Sequence, residues 1–560
     1  MGGDSVQISG SLFQQGATVS FGSHLATSVV TSPAGTSITA VTPSGSVGAT
    51  TVTVTNPDGG QTTVPGGFTY ATPAATGTTF FFAEGNTISG FDEELQLFMP
   101  NSSGDAQVTY FLESGSPVTK AHTLSAGQVT QVSVAADVGS GHTGVSAQVA
   151  LPGPGLAQRQ LHFAFGNWHG STDKVGVTGP NAEWDFAEGS TLSFFSEYLT
   201  LQNPDLVNDS NVTINYFTDQ GAKVVRNVTL PHATRTTVQV FDGSTAPGPT
   251  TCMVSVGVAQ SCGVGPGVGG VSTQVLVASG PAIIAERPMY VNGLSFGSGP
   301  IRDGHDAFGA NSPATTWYFA EGTTLAGFNE YLTLQNSGSS ISNVTVTYFT
   351  DSGALVTRTL QLPATSRTTL EVFKGNTAPG PAPCAISGGL AQNCGVGPGV
   401  VGVSTKVTVT SGPSVVAERP MYMYRDFGSG VVAGAHVVMG ANSLAKLFGF
   451  AGAQTTAGEN DYLTIQNPNS QPATLTITYY DAAPGFPRTA TVVVAPNTRR
   501  TVQVFATPGV FSGSVGPGFS DMGIVASSNL PVLVERPTYS SVGSQYGATD
   551  TLGFTPNPAF

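Results

Sequence analysis

Trp317-Tyr318-Phe319-Ala320-Glu321-Gly322 decides the fold, because it is one of a set. Trp184-Asp185-Phe186-Ala187-Glu188-Gly189 repeats it, and Phe80-Phe81-Phe82-Ala83-Glu84-Gly85 precedes both. A worn copy, Phe448-Gly449-Phe450-Ala451-Gly452, follows. With Phe82, Phe186, Phe319 and Phe450 as markers, the spacings are 104, 133 and 131 residues. Behind the last three markers come Glu197-Tyr198-Leu199-Thr200-Leu201-Gln202-Asn203, then residues 330–336 and 461–467. An alternating run at 212–217 recurs at 344–349 and 475–480, and Arg235-Thr236-Thr237-Val238 recurs at 367–370 and 499–502. Each of these copies closes with Glu-Arg-Pro, at 286–288, 418–420 and 535–537. Self-similarity at a fixed period makes this a tandem array of four copies.

Within a copy, six or seven short runs of Val, Thr, Tyr and Phe alternate with polar residues and are separated by Gly, Pro, Asn and Asp. Strands at that spacing without helical periodicity predict antiparallel β-sandwiches. The expected architecture is all-β, a string of five sandwich domains. Residues 1–72 form the first and 73–180 a shorter repeat. Residues 181–312 and 313–443 carry an extra loop, and 444–560 form the last repeat with a C-terminal extension.

Composition excludes several functions. The 560 residues hold 19 Lys+Arg against 33 Asp+Glu, a net charge of −14, and only 9% are charged. Ordinary globular proteins carry about 25%. An acidic chain with scattered cations offers nothing to a phosphate backbone, so nucleic acid is not an expected partner. No apolar run is long enough for a membrane-spanning helix. No basic and apolar leader opens the sequence.

Residues 1–72 differ from the repeats. The run GGDSVQISGSLFQQGATVSFG at 2–22 precedes Ile38-Thr39-Ala40-Val41-Thr42-Pro43, residues 51–60 (TVTVTNPDGG) and Phe68-Thr69-Tyr70. This segment resembles an IPT/TIG domain, the immunoglobulin-like sandwich of many bacterial surface proteins, without the strand that normally leads it. The four repeats resemble the WYFAEG…ERPMY repeats of secreted bacterial surface proteins. The resemblance implies a location outside the cell and no particular activity.

Four cysteines form two equivalent pairs, Cys252 with Cys262 and Cys384 with Cys394, in the loop present only in repeats two and three. Pairs present or absent together predict local disulfides, which need an oxidising compartment. A zinc site would want four ligands, and no Cys-x-x-Cys or nearby His supplies them. The sequons at Asn208, Asn211, Asn227 and Asn343 are compatible with export.

Glu188, Glu197 and Glu286 recur as Glu321, Glu330 and Glu418, with Glu535 in the last copy. Beside them recur Arg235 and Arg367, then Arg287, Arg419 and Arg536. Paired carboxylates serve glycoside hydrolysis, but an active site in every link of a chain is unusual. In so weakly charged a sequence, recurrence predicts a buried structural Glu–Arg network. Repeat one has Gln158-Arg159 in place of Glu-Arg, and Gly452 replaces the first Glu in repeat four. The GxGxxG matches at 265–270 and 397–402 contain proline and lead into a strand, so they are hairpins rather than dinucleotide loops. No catalytic residue and no cofactor is expected. Calcium at Asp242, Asp303, Asp306 or Asp426 stays open, as do a hydrogen-bonding role for the equivalent His305 and His436 and a sugar platform on Trp168, Trp184 or Trp317.

The expected function is non-enzymatic: an extracellular structural protein, the subunit of a surface filament, sheath or layer. Its chains would join head to tail, the segment 548–560 with Leu552, Phe554 and Phe560 docking on the first domain of the next. The competing expectation is a surface adhesin or carbohydrate-binding stalk with glycans as partners.

Overall fold

A computed structural model describes residues 5–43, 48–70, 78–165, 168–542 and 546–556. The chain divides into two compact units, Met1–Gly77 and Thr78–Phe560. The boundary expected at 72/73 falls outside the described residues. Both units are built of strands, and the one α-helix among the described residues is Val134–Val138. No helix is long and apolar enough to cross a membrane.

In the first unit, Ser5–Ser9, Ser37–Val41 and Thr27–Thr31 make one sheet. His24–Leu25, Thr18–Phe21, Gly48–Thr55 and Gln61–Tyr70 make the other. Val19, Phe21, Val52 and Val54 from one sheet pack with Ile38 and Ala40 from the other. Alternation puts these side chains inward and the intervening threonines outward.

The second unit contains the four repeats, each a pair of packed sheets. In repeat two the outer sheet runs Glu183–Phe186, Val271–Ser279, Ser210–Thr218, Lys223–Leu230, Pro249–Cys252. The inner sheet includes Thr234–Gln239, Phe195–Asn203, Met289–Ser295 and Pro300–His305 in that order. Val212, Ile214 and Tyr216 point into the core from one face of their strand, as Val344, Val346 and Tyr348 do in repeat three. Trp184 and Trp317 are buried, their indole N–H groups donating to the Ile283 and Val415 carbonyls at 2.9 and 2.8 Å. They are core residues, which removes them as a sugar platform. In repeat four one long strand, Met522–Ser540, passes through both sheets, pairing with Ala473–Tyr480 in one and Glu459–Asn467 in the other.

The all-β string of sandwiches expected from the sequence is the architecture found. In space its four repeated links turn about one axis and close on themselves. The strand after each Glu-Arg-Pro region lies innermost: Trp168–Val175, Pro300–His305, Ala435–Met439 and Gly547–Leu552. Trp168–Val175 lies beside both Pro300–His305 and Gly547–Leu552, and Ala435–Met439 lies beside the same two. Repeat one therefore touches repeat four, and the second unit is a closed ring of four sandwich repeats.

Candidate functional site

The recurring motifs build the joints of this ring. The Glu of each Glu-Arg-Pro faces the preceding repeat and accepts backbone N–H groups from its Phe-Ala-Glu-Gly. Ala83 donates to Glu286 at 2.6 Å, Ala187 to Glu418 at 3.1 Å and Ala320 to Glu535 at 3.1 Å. Ala451 of repeat four closes the circle by donating to Gln158 of repeat one at 3.2 Å. The arginine faces the following repeat, because successive side chains on a strand point to opposite faces. Arg159 meets Glu286 at 2.8 Å and Asp306 at 2.5 Å, and Arg287 meets Glu418 at 3.0 Å. Arg419 pairs with Glu535 and Asp550. Arg536 returns to Asp173 of repeat one at 2.5 Å. All four guanidinium groups are buried.

One carboxylate sits where the four innermost strands meet. Asp303 accepts N–H from its own repeat's Gly304 at 2.8 Å, Ser171 at 3.1 Å, Ala435 at 2.9 Å and Ala548 at 2.9 Å. Every repeat thus donates to it. The positions matching Asp303 in the other strands are Gly170, Gly434 and Gly547. A Cβ on Gly170 would stand 2.2 Å from the Asp303 carboxylate, and one on Gly434 would stand 2.6 Å from Ala548. Three glycines make room for one aspartate. A carboxylate surrounded by N–H donors is not disposed to ligate a cation, and Asp306 is engaged by Arg159. These two positions therefore do not form the calcium site considered from sequence. No group of three or more metal-ligating side chains exists among the described residues.

Glu197 and Glu330, with Glu93 in the equivalent position of repeat one, lie beneath the Phe-Ala-Glu-Gly turns. Burial pushes each up to about 8 despite a nearby arginine. Their ordinary value is 4.5, so the folded chain holds protons there that the unfolded chain releases. Their contribution is therefore complete below about pH 4.5 and is lost as pH rises through about 8, at about 1.4 kcal/mol per pH unit per group. Thermal unfolding should show stability falling from about pH 5 to 8, and Glu330→Gln should reduce that slope by about one proton's worth. An unchanged slope in this variant would contradict the assignment.

The second Glu–Arg pair lines an open cleft at three of the four joints. Arg235 meets Glu84 at 2.6 Å, Arg367 meets Glu188 at 3.9 Å and Arg499 meets Glu321 at 3.1 Å. Above each pair stands a half-buried tyrosine, Tyr198, Tyr331 or Tyr462, with Thr200, Thr333 or Thr464 beside it. Phe241, Phe373 and Phe505 hold these rings edge-on at 5.3, 5.4 and 5.3 Å. A second tyrosine, Tyr290, Tyr422 or Tyr539, completes the wall. Tyr422 donates to Glu188 at 3.2 Å and Tyr539 to Glu321 at 3.1 Å. The three clefts measure 190, 220 and 420 Å³.

The fourth joint is built otherwise. Where the others carry Glu, Arg, Tyr, Phe, Pro and Tyr, strand register places Gly452, Val129, Glu94, Ala135, Gln160 and His162. A pocket of 20 Å³ lies against Gly452, Gln160 and His162 at this joint. A Cβ on Gly452 would stand 1.9 Å from the Gln96 side-chain amide, which occupies the place that the glutamate side chain takes at the other joints.

Other residues singled out in the sequence are placed as follows. Both cysteine pairs are disulfide-bonded. The core tyrosines Tyr216 and Tyr348 each donate to the carbonyl of the second cysteine at 3.1 Å, tying the loop to the sandwich. His305 and His436 are buried, and their ring nitrogens have no hydrogen-bond partner among the described residues. They lie against Tyr422 and Tyr539, so aromatic packing replaces the hydrogen bond considered for them. Leu552 ends an innermost strand, and Phe554 packs on Phe80 at 5.0 Å while its backbone pairs with Gly449. Both are occupied within this chain, and Phe560 lies outside the described residues. Sequence reasoning passed over Asp173, Asp550 and the cleft tyrosines. The tyrosines recur visibly beside Glu197 and Glu330, but nothing local marks them as facing another repeat.

The fold and joints define a class: a closed ring of four β-sandwich repeats linked by buried carboxylate–arginine pairs. A family of unknown function (DUF5719) matches residues 443–508. No curated protein matches the chain. Among solved structures, Thermotoga maritima 1070 is similar at 19% identity over 20% of this chain and 95% of that one, with a TM-score of 0.18. SGBP-B from a complex xyloglucan utilization locus in Bacteroides uniformis is 13% identical over 27% of this chain and 64% of that one, with a TM-score of 0.13. A tetra-tandem repeat from the extending region of a large adhesion protein is 10% identical over 90% and 95%, with a TM-score of 0.09. At such scores none of these likenesses carries an argument about this chain.

Proposed function

We propose that this is a non-enzymatic extracellular protein that acts at a surface by recognition, its repeats forming a rigid ring rather than a flexible stalk. One observation carries the reading. The fully buried carboxylate–guanidinium pairs are consumed in joining repeats, and three joints keep a similar aromatic and polar cleft, beside a 260 Å³ cavity lined by residues of all four repeats. Two disulfides support a location in an oxidising compartment.

The test is binding of labelled full-length, oxidised chain to isolated cell envelopes. Saturable binding with no soluble product released is expected, and absence of saturable binding overturns the reading. In sedimentation the chain should run as a closed unit at all concentrations, since the segment through Phe554 is engaged internally. Polymers that vanish on deletion of 546–560 would replace this reading by head-to-tail assembly.

A further inference from the structure

The fourth joint separates what closes the ring from what does something else. With Gly452, Val129, Glu94 and His162 it lacks the ion pair and both tyrosines, yet it closes, through Ala451–Gln158 and Arg536–Asp173 together with Gln131–Asp521, Thr551–Asp173 and the ring contacts Phe80–Phe554 and Phe98–Tyr480. The first two of these have counterparts at every joint. Closure therefore does not require the Glu–Arg–Tyr cleft, which the other three joints nevertheless keep together with the phenylalanine that steadies its tyrosine.

We propose that these three clefts are binding sites for neutral glycans, one short stretch of sugar per cleft and three per chain. This deepens the recognition reading and rests on it. The chemistry fits a pyranose. A half-buried tyrosine ring offers an apolar face to the C–H side of a sugar and keeps a polar hydroxyl. An arginine and a glutamate side by side, each less than a tenth exposed, form a polar floor on which adjacent hydroxyls can rest. The Glu and Arg charges cancel, so a ligand carrying charge gains nothing overall, whereas a polyhydroxylated neutral one meets both. Only the 420 Å³ cleft falls within the usual ligand-pocket range of about 300–1,000 Å³, and those of 190 and 220 Å³ lie below it, which suits a short stretch of a longer polymer lying partly outside each cleft. Spacing three weak sites on one rigid body raises avidity for a polymer above that of any single cleft.

Calorimetry of the full chain with cellohexaose, xylohexaose, mannohexaose and maltohexaose, and with hexagalacturonate as the charged counterpart, tests this. At least one neutral hexasaccharide should bind with about three sites per chain. Tyr198→Ala, Tyr331→Ala and Tyr462→Ala should each remove one site, and the triple variant all three. Should the triple variant not fold, nitration of the unaltered chain gives the same answer: the bound sugar should protect Tyr198, Tyr331 and Tyr462. Binding of hexagalacturonate alone, three sites retained in the triple variant, or no protection overturns the inference. Envelope binding without any neutral hexasaccharide binding overturns it too and leaves the recognition reading standing. Loss of envelope binding itself overturns that reading.

Discussion

Replacing Asp303 by alanine is expected to cost about 4 kcal/mol or more, because four buried N–H donors lose their acceptor at about 1–3 kcal/mol each. Three of those donors, Ser171, Ala435 and Ala548, belong to other repeats. The loss therefore falls on the contact among repeats rather than within one. It is comparable with the whole stability of an ordinary domain, about 5–15 kcal/mol. Urea unfolding should move to a lower midpoint and split, as repeats that unfolded together come apart singly. Asp426→Ala is the control. Its carboxylate accepts from Gly428 in an exposed loop, and its removal should stay within about 0.5 kcal/mol. A loss below about 1 kcal/mol for Asp303→Ala would mean that water serves the four amides equally well.

Arg419→Leu should be nearly as severe. The guanidinium is buried between Glu535 and Asp550 of the next repeat, and its removal leaves two buried carboxylates without a cation. Breaking such a pair from one side costs about 3–5 kcal/mol. The deficit should shrink in acid. Burial already pushes Glu535 up to about 8, and without Arg419 that acid is held neutral more readily, so the variant loses less at pH 5 than at pH 8. Replacing Arg419, Glu535 and Asp550 together by leucine should recover part of the loss, since an apolar substitute for a whole buried cluster is often tolerated. Lys374→Ala, which breaks an exposed pair with Glu371 on a lysine that is 55% exposed, should have little effect. Equal losses for Arg419→Leu and Lys374→Ala, read by urea unfolding, would refute the assigned role.

Much of this was legible in residue order. The four copies, the alternation that makes each a sandwich and the pairing of Cys252 with Cys262 follow from spacing alone. Recurrence of glutamate and arginine in a chain with 9% charged residues pointed to burial. The partners were not legible. Glu286 and Arg287 are neighbours in sequence and look like a pair, yet they face opposite sides of one strand. Glu286 meets Arg159 of the repeat before, and Arg287 meets Glu418 of the repeat after. The cleft has the same origin: Glu188 and Tyr331 stand on different repeats, 143 positions apart in order but lining one space.

Sequence by itself determined the links: strand periodicity, turn residues and disulfide loops are local, and local interactions are written in local order. Only the tertiary structure decided that the links close. Closure depends on groups from the first and last repeats meeting, Gln158 with Ala451 and Asp173 with Arg536, and on Gly170, Gly434 and Gly547 leaving space for Asp303. Each of those residues is unremarkable where it stands in the sequence. What gives them a role is the turn between successive sandwiches, summed over four copies until the last repeat meets the first.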